Sequence, residues 1–318
     1  MDIEHSLVPK GISHGYDFQQ DKNIITIVES IPPDTPQSNV QVNYNVIENS
    51  IYIGVKGENP IVCGILYEKI QDIHSCEIIA PIIKIKLIKK NNNLWPLLIR
   101  EKSSKGIDSK SQFLLGCAAE SQGYFNEAFK FYTQSAQKNY LPAMRYLAYI
   151  YASEQNPYHI RTNIKESINI YQNMFKISQD KEIGLILAKS LRKERRIDEA
   201  KNVLEICAQS SNDAKYMLAC MYSPLLGGEL NDPKRAVKLF KELSNASMVD
   251  ATKKLIQHYE QGVGTPVNLE EAERLRKEIA KVKQVEQPSN FKYWIAFGAG
   301  VALAAGSFYL GVKRRHGS

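Results

Sequence analysis

LIQHYEQGVGTPVNLEEA, residues 255–272, decides how the larger part of this chain is read. Leu255 and Ile256 belong to a first helix that runs on to Tyr259. The Gly262-Val263-Gly264 turn stops that helix, because glycine tolerates the left-handed backbone a tight reversal needs. Asn268 then opens a second helix and Ala272 lies on it. Asn268 is expected to cap that helix, with Glu271 completing a capping box. Working back, Tyr222 to Ala236 repeats the plan with Gly227-Gly228 and with Asp232-Pro233, where proline suits the first helical turn. Small residues recur further back in second helices: Ala128, Ser167 and Ala200 precede Ala236 and Ala272, at spacings of 33 to 39 residues. Leu115-Gly116, Leu147-Ala148, Leu187-Ala188 and Leu218-Ala219 mark the matching first helices. A small residue lets the two helices of a hairpin approach closely. Five hairpins are expected between about residues 110 and 283, the second and third of them degenerate.

The Tyr, the GxG turn, and the Asn and Ala of the next helix resemble the SEL-like class of tetratricopeptide repeats. That resemblance implies a curved solenoid whose first helices line a peptide-binding face. Candidate partner-binding residues on those helices are Arg145, Tyr149, Lys189, Lys215 and Lys254. Their basic bias suits a peptide carrying carboxylates, and a solvated helix face accounts for the same residues. The run KSLRKERR, residues 189–196, reads as a solvated helix surface.

Ahead of the repeats, residues 15–101 read as strands. Ile24 to Val28 is a β-branched run. Val42, Tyr44 and Val46 alternate onto one face, as do Ile51, Ile53 and Val55 after a Glu48-Asn49-Ser50 turn. Ile61 to Leu66 follows, and Ile83, Ile85 and Leu87 alternate against Lys84 and Lys86. Many short strands with regular turns predict an antiparallel β-sandwich. The ending, IKIKLIKKNNNLWPLL (83–98), resembles the close of a CS domain, where a late strand with a lysine is followed by a tryptophan and a leucine. The family often opens with a tryptophan, and here Tyr16 and Phe18 stand in that region. The resemblance implies the crystallin-type sandwich shared by certain co-chaperones.

Tyr293 to Val312, YWIAFGAGVALAAGSFYLGV, has twenty residues and no charge. A helix of that length spans roughly 30 Å, the hydrocarbon thickness of a bilayer. Lys292 precedes it, and Lys313, Arg314 and Arg315 follow. Tyr293 and Trp294 suit the membrane interface. Gly298, Ala302 and Gly306 form a small-xxx-small stripe, read equally well as a helix contact or as filler. Such a segment at the chain's end predicts post-translational insertion, with the bulk left in the cytosol. Moderate hydrophobicity and a basic tail resemble anchors of mitochondrial-type outer membranes. The first residues, MDIEHSLVPKG, carry Asp2 and Glu4 and no apolar run, so no secretory or transit signal is read there.

Hydrophobic content is 43%, charged content 24% and net charge +7, the balance of an ordinary globular chain. A surplus that small gives no ground for a nucleic-acid partner. Five cysteines without a CxxC pair fit a reducing compartment. Six scattered histidines suggest no metal site. With no phosphate-binding loop, GxSxG motif or triad spacing, neither a cofactor nor an enzyme activity is expected.

The expected order is a flexible 1–14, a CS-like sandwich at 15–101, a polar linker at 102–109 and tetratricopeptide/SEL-like repeats at 110–286. A linker at 287–291, an anchor at 292–312 and a basic tail at 313–318 follow. This multidomain order, all-β then all-α then one transmembrane helix, resembles the receptor subunits of the hydrogenosomal TOM import complex. The resemblance implies docking of preproteins, or of their heat-shock chaperones, at the outer membrane of a mitochondrion-related organelle. Cargo would then pass to a β-barrel translocase channel. The alternative is a tail-anchored co-chaperone or scaffold adaptor of another membrane, such as the endoplasmic reticulum.

Overall fold

A computed structural model of the chain describes residues 17–286. The expected segments 1–14, 287–291, 292–312 and 313–318 lie outside the described residues. So do the anchor residues Tyr293, Trp294, Gly298, Ala302, Gly306 and Val312 and the flanking Lys292, Lys313, Arg314 and Arg315. Among the described residues no helix is long and apolar enough to cross a membrane. The chain falls into two compact units, one up to Leu191 and one from Arg192 on.

Among the described residues the first unit opens with eight strands. They are β1 (Asp17–Asp21), β2 (Ile24–Ser30), β3 (Val40–Asn45), β4 (Ser50–Val55), β5 (Val62–Leu66), β6 (Ile70–Ile79), β7 (Ile82–Lys89) and β8 (Ile99–Glu101). They form two antiparallel four-stranded sheets, in the orders β1-β2-β7-β6 and β3-β4-β5-β8. The alternation read from sequence sets the inward rows. Ile25, Ile27, Ile83, Ile85 and Leu87 of one sheet meet Ile51, Ile53 and Val62 of the other in a single core. Full burial of each such side chain contributes about 1.5–3 kcal/mol.

Trp95, also buried, is held by its backbone. Its N–H donates to Gln20 Oε1 at 2.9 Å and its carbonyl accepts from Gln20 Nε2 at 2.8 Å. Buried Lys89 donates its Nζ to the Asn93 carbonyl at 2.5 Å. Strands β1, β6 and β8 have no counterpart in the sequence reading. Val46 is corrected: it lies beyond the end of β3 and is 71% exposed, not on the face of Val42 and Tyr44.

Residues 102–109 are not a linker. Ser103 and Gly106 exchange backbone hydrogen bonds at 2.9 Å in both directions. Ile107 enters the sandwich core. Asp108 is buried and caps the first helix, accepting from the Ser111 N–H at 2.7 Å. It also accepts from the Cys63 N–H of β5 at 2.9 Å, and its own N–H donates to the Cys63 carbonyl at 3.1 Å. Of the polar side chains here Ser103 and Asp108 are buried, whereas Lys102, Ser104 and Lys105 face solvent.

Helices α1 (Ser109–Ser121), α2 (Phe125–Ala136), α3 (Leu141–Ala152) and α4 (Ile164–Ser178) complete the first unit, with α5 (Lys181–Lys193) reaching its boundary. The second unit holds α6 (Ile197–Cys207), α7 (Asn212–Tyr222), α8 (Pro233–Asn245), α9 (Val249–Gln261) and α10 (Leu269–Glu286). Ala128, Ser167, Ala200, Ala236 and Ala272 are all buried, as their placement in second helices requires. The Ser167 hydroxyl donates across its hairpin to the Ala148 carbonyl at 2.8 Å.

Three of the second helices start alike. Asn163, Asp232 and Asn268 each accept, through a side-chain oxygen, the N–H three residues on. Each also donates its own N–H to a tyrosine carbonyl of the preceding helix: Tyr151 at 2.8 Å, Tyr222 at 2.9 Å and Tyr259 at 2.9 Å. The capping box at Asn268 is therefore only half made. Tyr259 has taken the N–H that Glu271 would have bonded, and the Glu271 carboxylate pairs with Arg274 instead.

Candidate interaction surfaces

Each candidate binding residue is set by its place on a first helix. On α3, Leu147 and Ala148 are buried, which leaves Tyr149 62% exposed two positions past Leu147. Tyr149 stacks on buried Tyr146, with centroids 6.4 Å apart and ring planes 17° off parallel. Arg145 is half-buried on the same helix and lies close enough to Tyr171 of α4 to act on it electrostatically. Lys189 on α5 is exposed and follows the buried Leu187-Ala188 pair at the position of Tyr149.

In the second unit Lys215 of α7 reaches its own hairpin partner, pairing with Glu242 of α8 at 3.1 Å. Lys254 of α9 is half-buried and lies near Cys220 of α7, on whose thiol it acts electrostatically. Arg192 also acts on that thiol and is held by a bidentate pair with Glu229, at 2.9 and 3.1 Å. Arg145 and Tyr149 thus share a helix, whereas Lys215 is engaged within its hairpin. Lys215 precedes the buried Leu218 by three residues and Lys254 precedes Leu255 by one. The two lysines therefore do not occupy equivalent positions of the repeat.

The first two hairpins enclose an aromatic knot. Phe113, Tyr132, Tyr146 and Tyr158 are buried together, with Tyr132 and Tyr146 rings 4.8 Å apart and near perpendicular. Their polar ends converge on one carboxylate. Tyr132 donates to Glu120 Oε2 at 2.5 Å and Tyr146 to Glu120 Oε1 at 2.7 Å. The Tyr158 hydroxyl lies 3.1 Å from that of Tyr146. Burial raises the pKa of all three phenols, so they stay neutral donors. Burial also pushes the Cys117 thiol up to about 12, which makes it an inert core group. The knot satisfies its polar atoms internally and holds two hairpins together.

Among the described residues no group of three or more His, Cys, Asp or Glu side chains is placed to hold a metal ion. What the arrangement offers chemically is surface: side chains fixed by packed helices and pinned turns.

No family model matches the chain, and no curated protein matches it. Solved structures with some likeness include a Sel1 repeat protein from Oxalobacter formigenes. It is 18% identical, with 55% of this chain and 71% of that one covered and a TM-score of 0.39. Another is c5321, a protective antigen present in uropathogenic Escherichia coli strains displaying an SLR fold. It is 18% identical over 57% of this chain and 44% of that one, with a TM-score of 0.37. The nuclear movement protein from E. cuniculi GB-M1 is 21% identical over 27% of this chain and 98% of that one, with a TM-score of 0.23. No score among these reaches 0.5, and the architecture above rests on its own strands and helices.

Proposed function

We propose that this chain is a protein-binding receptor held at a membrane by residues 292–312. The sandwich and the hairpins form its cytosolic reading head. The observation that supports this reading best is the sequence of parts: among the described residues a β-sandwich followed by ten helices with buried small residues, and in the sequence twenty further residues without charge. Hairpin arrays present long helix faces to peptides. An uncharged stretch of that length suits a bilayer. The CS-like ending at 83–98 and the SEL-like unit at 255–272 extend the reading to a receptor subunit of a TOM-type import complex. Its partners would be preproteins or their heat-shock chaperones, handed on to a β-barrel channel in the outer membrane of a hydrogenosome or similar organelle. No cofactor and no catalytic step belong to this reading.

The test is immunoprecipitation of the full chain from gently solubilised membranes. Recovery of a β-barrel pore protein supports the import role. Its absence, together with reticular staining by a fluorescent fusion of residues 287–318, moves the chain to an adaptor role at the endoplasmic reticulum.

A further inference from the structure

Helix α10 is charged unevenly along its length. Its first half carries Glu270, Glu271 and Glu273 against Arg274. From residue 276 to residue 292 the balance reverses: Arg276, Lys277, Lys281, Lys283 and Lys292 stand against Glu278 and Glu286. Ala272 and Leu275 are the buried side of the helix, while Lys277 and Lys281, four residues apart, share an exposed stripe. The carboxylates around that stripe are already paired. Glu278 is bound to Arg274 at 2.7 Å, and Glu273 lies 3.7 Å from Arg276, which also pairs with Glu260 of α9. On α9 itself Asp250 is tied to Lys253 at 2.7 Å. Among the described ion pairs Lys277 and Lys281 have none.

The chain beyond the helix decides what these ammonium groups face. Only residues 287–291 separate Glu286 from Lys292, a tether that reaches at most about 20 Å when fully extended. That is shorter than α10 itself, whose 18 residues rise about 27 Å. With residues 292–312 in a bilayer, the second unit is held beside the lipid surface, and the basic half of α10 is the nearer one. The acidic half is the far one. It starts from the α9–α10 turn, where a Cβ on Gly264 would lie 2.2 Å from the carbonyl oxygen of Pro233, so Lys234 of α8 belongs to that far end. An anionic leaflet attracts lysine and arginine near its surface, and the pull falls off within a Debye length of about 8–10 Å.

We infer that the basic half of α10 docks on anionic lipid headgroups through Lys277 and Lys281, with the acidic start of the helix directed away from the membrane. This docking rests on residues 292–312 being an anchor. It adds the class of lipid and the residues that meet it.

Acetylation of lysines in the full chain reconstituted into vesicles, read residue by residue by mass spectrometry, tests this. One set of vesicles is phosphatidylcholine alone. The other holds about 30% phosphatidylglycerol, whose headgroup is anionic and carries no amine. Flotation with both sets checks the anchor. Lys277 and Lys281 should react about threefold or more slowly in the anionic vesicles, and about 0.5 M salt should abolish the difference. Lys234 should react equally in both sets. Floating chains whose Lys277 and Lys281 react alike in the two sets overturn the docking and leave the anchor standing. Chains that float with neither set overturn both. Equal slowing of Lys234 assigns the lipid contact to another face and overturns the docking. Slowing of Lys277 and Lys281 in detergent micelles that grows with protein concentration assigns them to a second copy and overturns it too.

Discussion

At the scale of single residues the hairpins depend on what is missing from five side chains. Ala128, Ser167, Ala236 and Ala272 are buried on second helices that pack against their hairpin partners, and Ala200 is buried on α6. Their smallness was legible because close approach excludes bulk, and that constraint survives where turn motifs have drifted. Ala236→Leu should therefore destabilise the second unit by about 1–3 kcal/mol. The denaturant midpoint of the full chain in detergent reads this out, and an unchanged midpoint would contradict it.

His258, by contrast, is in sequence one of several scattered histidines. In the fold it is buried, its Nδ1–H donating to the Val263 carbonyl at 2.7 Å, and its Nε2 stands 2.9 Å from Ser223 Oγ, placed to accept from it. Burial drives its pKa down, outweighing the opposite pull of the Val263 carbonyl. The unfolded imidazole titrates near 6.5 and so takes up a proton first as pH falls. Its contribution to stability is complete above about pH 6.5 and is lost progressively as pH falls from there through the lower folded value. Denaturant midpoints at about pH 7.5 and about pH 5.5 should separate for the wild type, and separate less for His258→Asn. Equal separations would show that His258 is not the titrating group.

At the scale of elements, turns and caps decide what a reading of alternation misses. Strand β6 shows little apolar rhythm because Gln71, Asp72, His74, Cys76 and Glu77 face solvent. The alternation of strand β3 runs on to Val46 in sequence because Asn45 looks like any polar strand residue. Its side chain in fact closes the turn that throws Val46 outward. The segment 102–109 looked solvated by composition, yet Asp108 stitches β5 to α1. Asp108→Ala removes a helix cap and strands a buried Cys63 N–H, which together should cost about 1–3 kcal/mol. Because the same residue serves both elements, hydrogen exchange should rise in β5 and in α1 together. A rise confined to α1 would contradict the joint. Gly264 makes a parallel case in the second unit. Its φ is +75°, and a Cβ there would lie 2.2 Å from the Pro233 carbonyl oxygen. Gly264→Ala should loosen the α9–α10 turn by roughly 1–3 kcal/mol, seen as a lower thermal midpoint.

At the scale of the whole molecule, the sandwich and the first hairpins belong to one compact unit, and the later hairpins to another. A reading by composition divides the chain near residue 102, where periodicity changes from two to 3.6. Packing does not divide it there, because Ile107, Leu114 and Leu115 join the sandwich core; the compact units part near residue 191. The proposed binding role draws on fixed turns, exposed side chains and a long uncharged segment at 293–312. The claim that governs the rest is a protein-binding bulk displayed on one side of a membrane by that segment. Protease added to intact organelles, followed by alkaline carbonate extraction, tests it directly. The account predicts that epitopes within residues 17–286 are digested while a small fragment containing residues 293–312 stays in the membrane pellet. A full-length chain that resists protease until the membrane is dissolved, or that leaves with the carbonate supernatant, would contradict it.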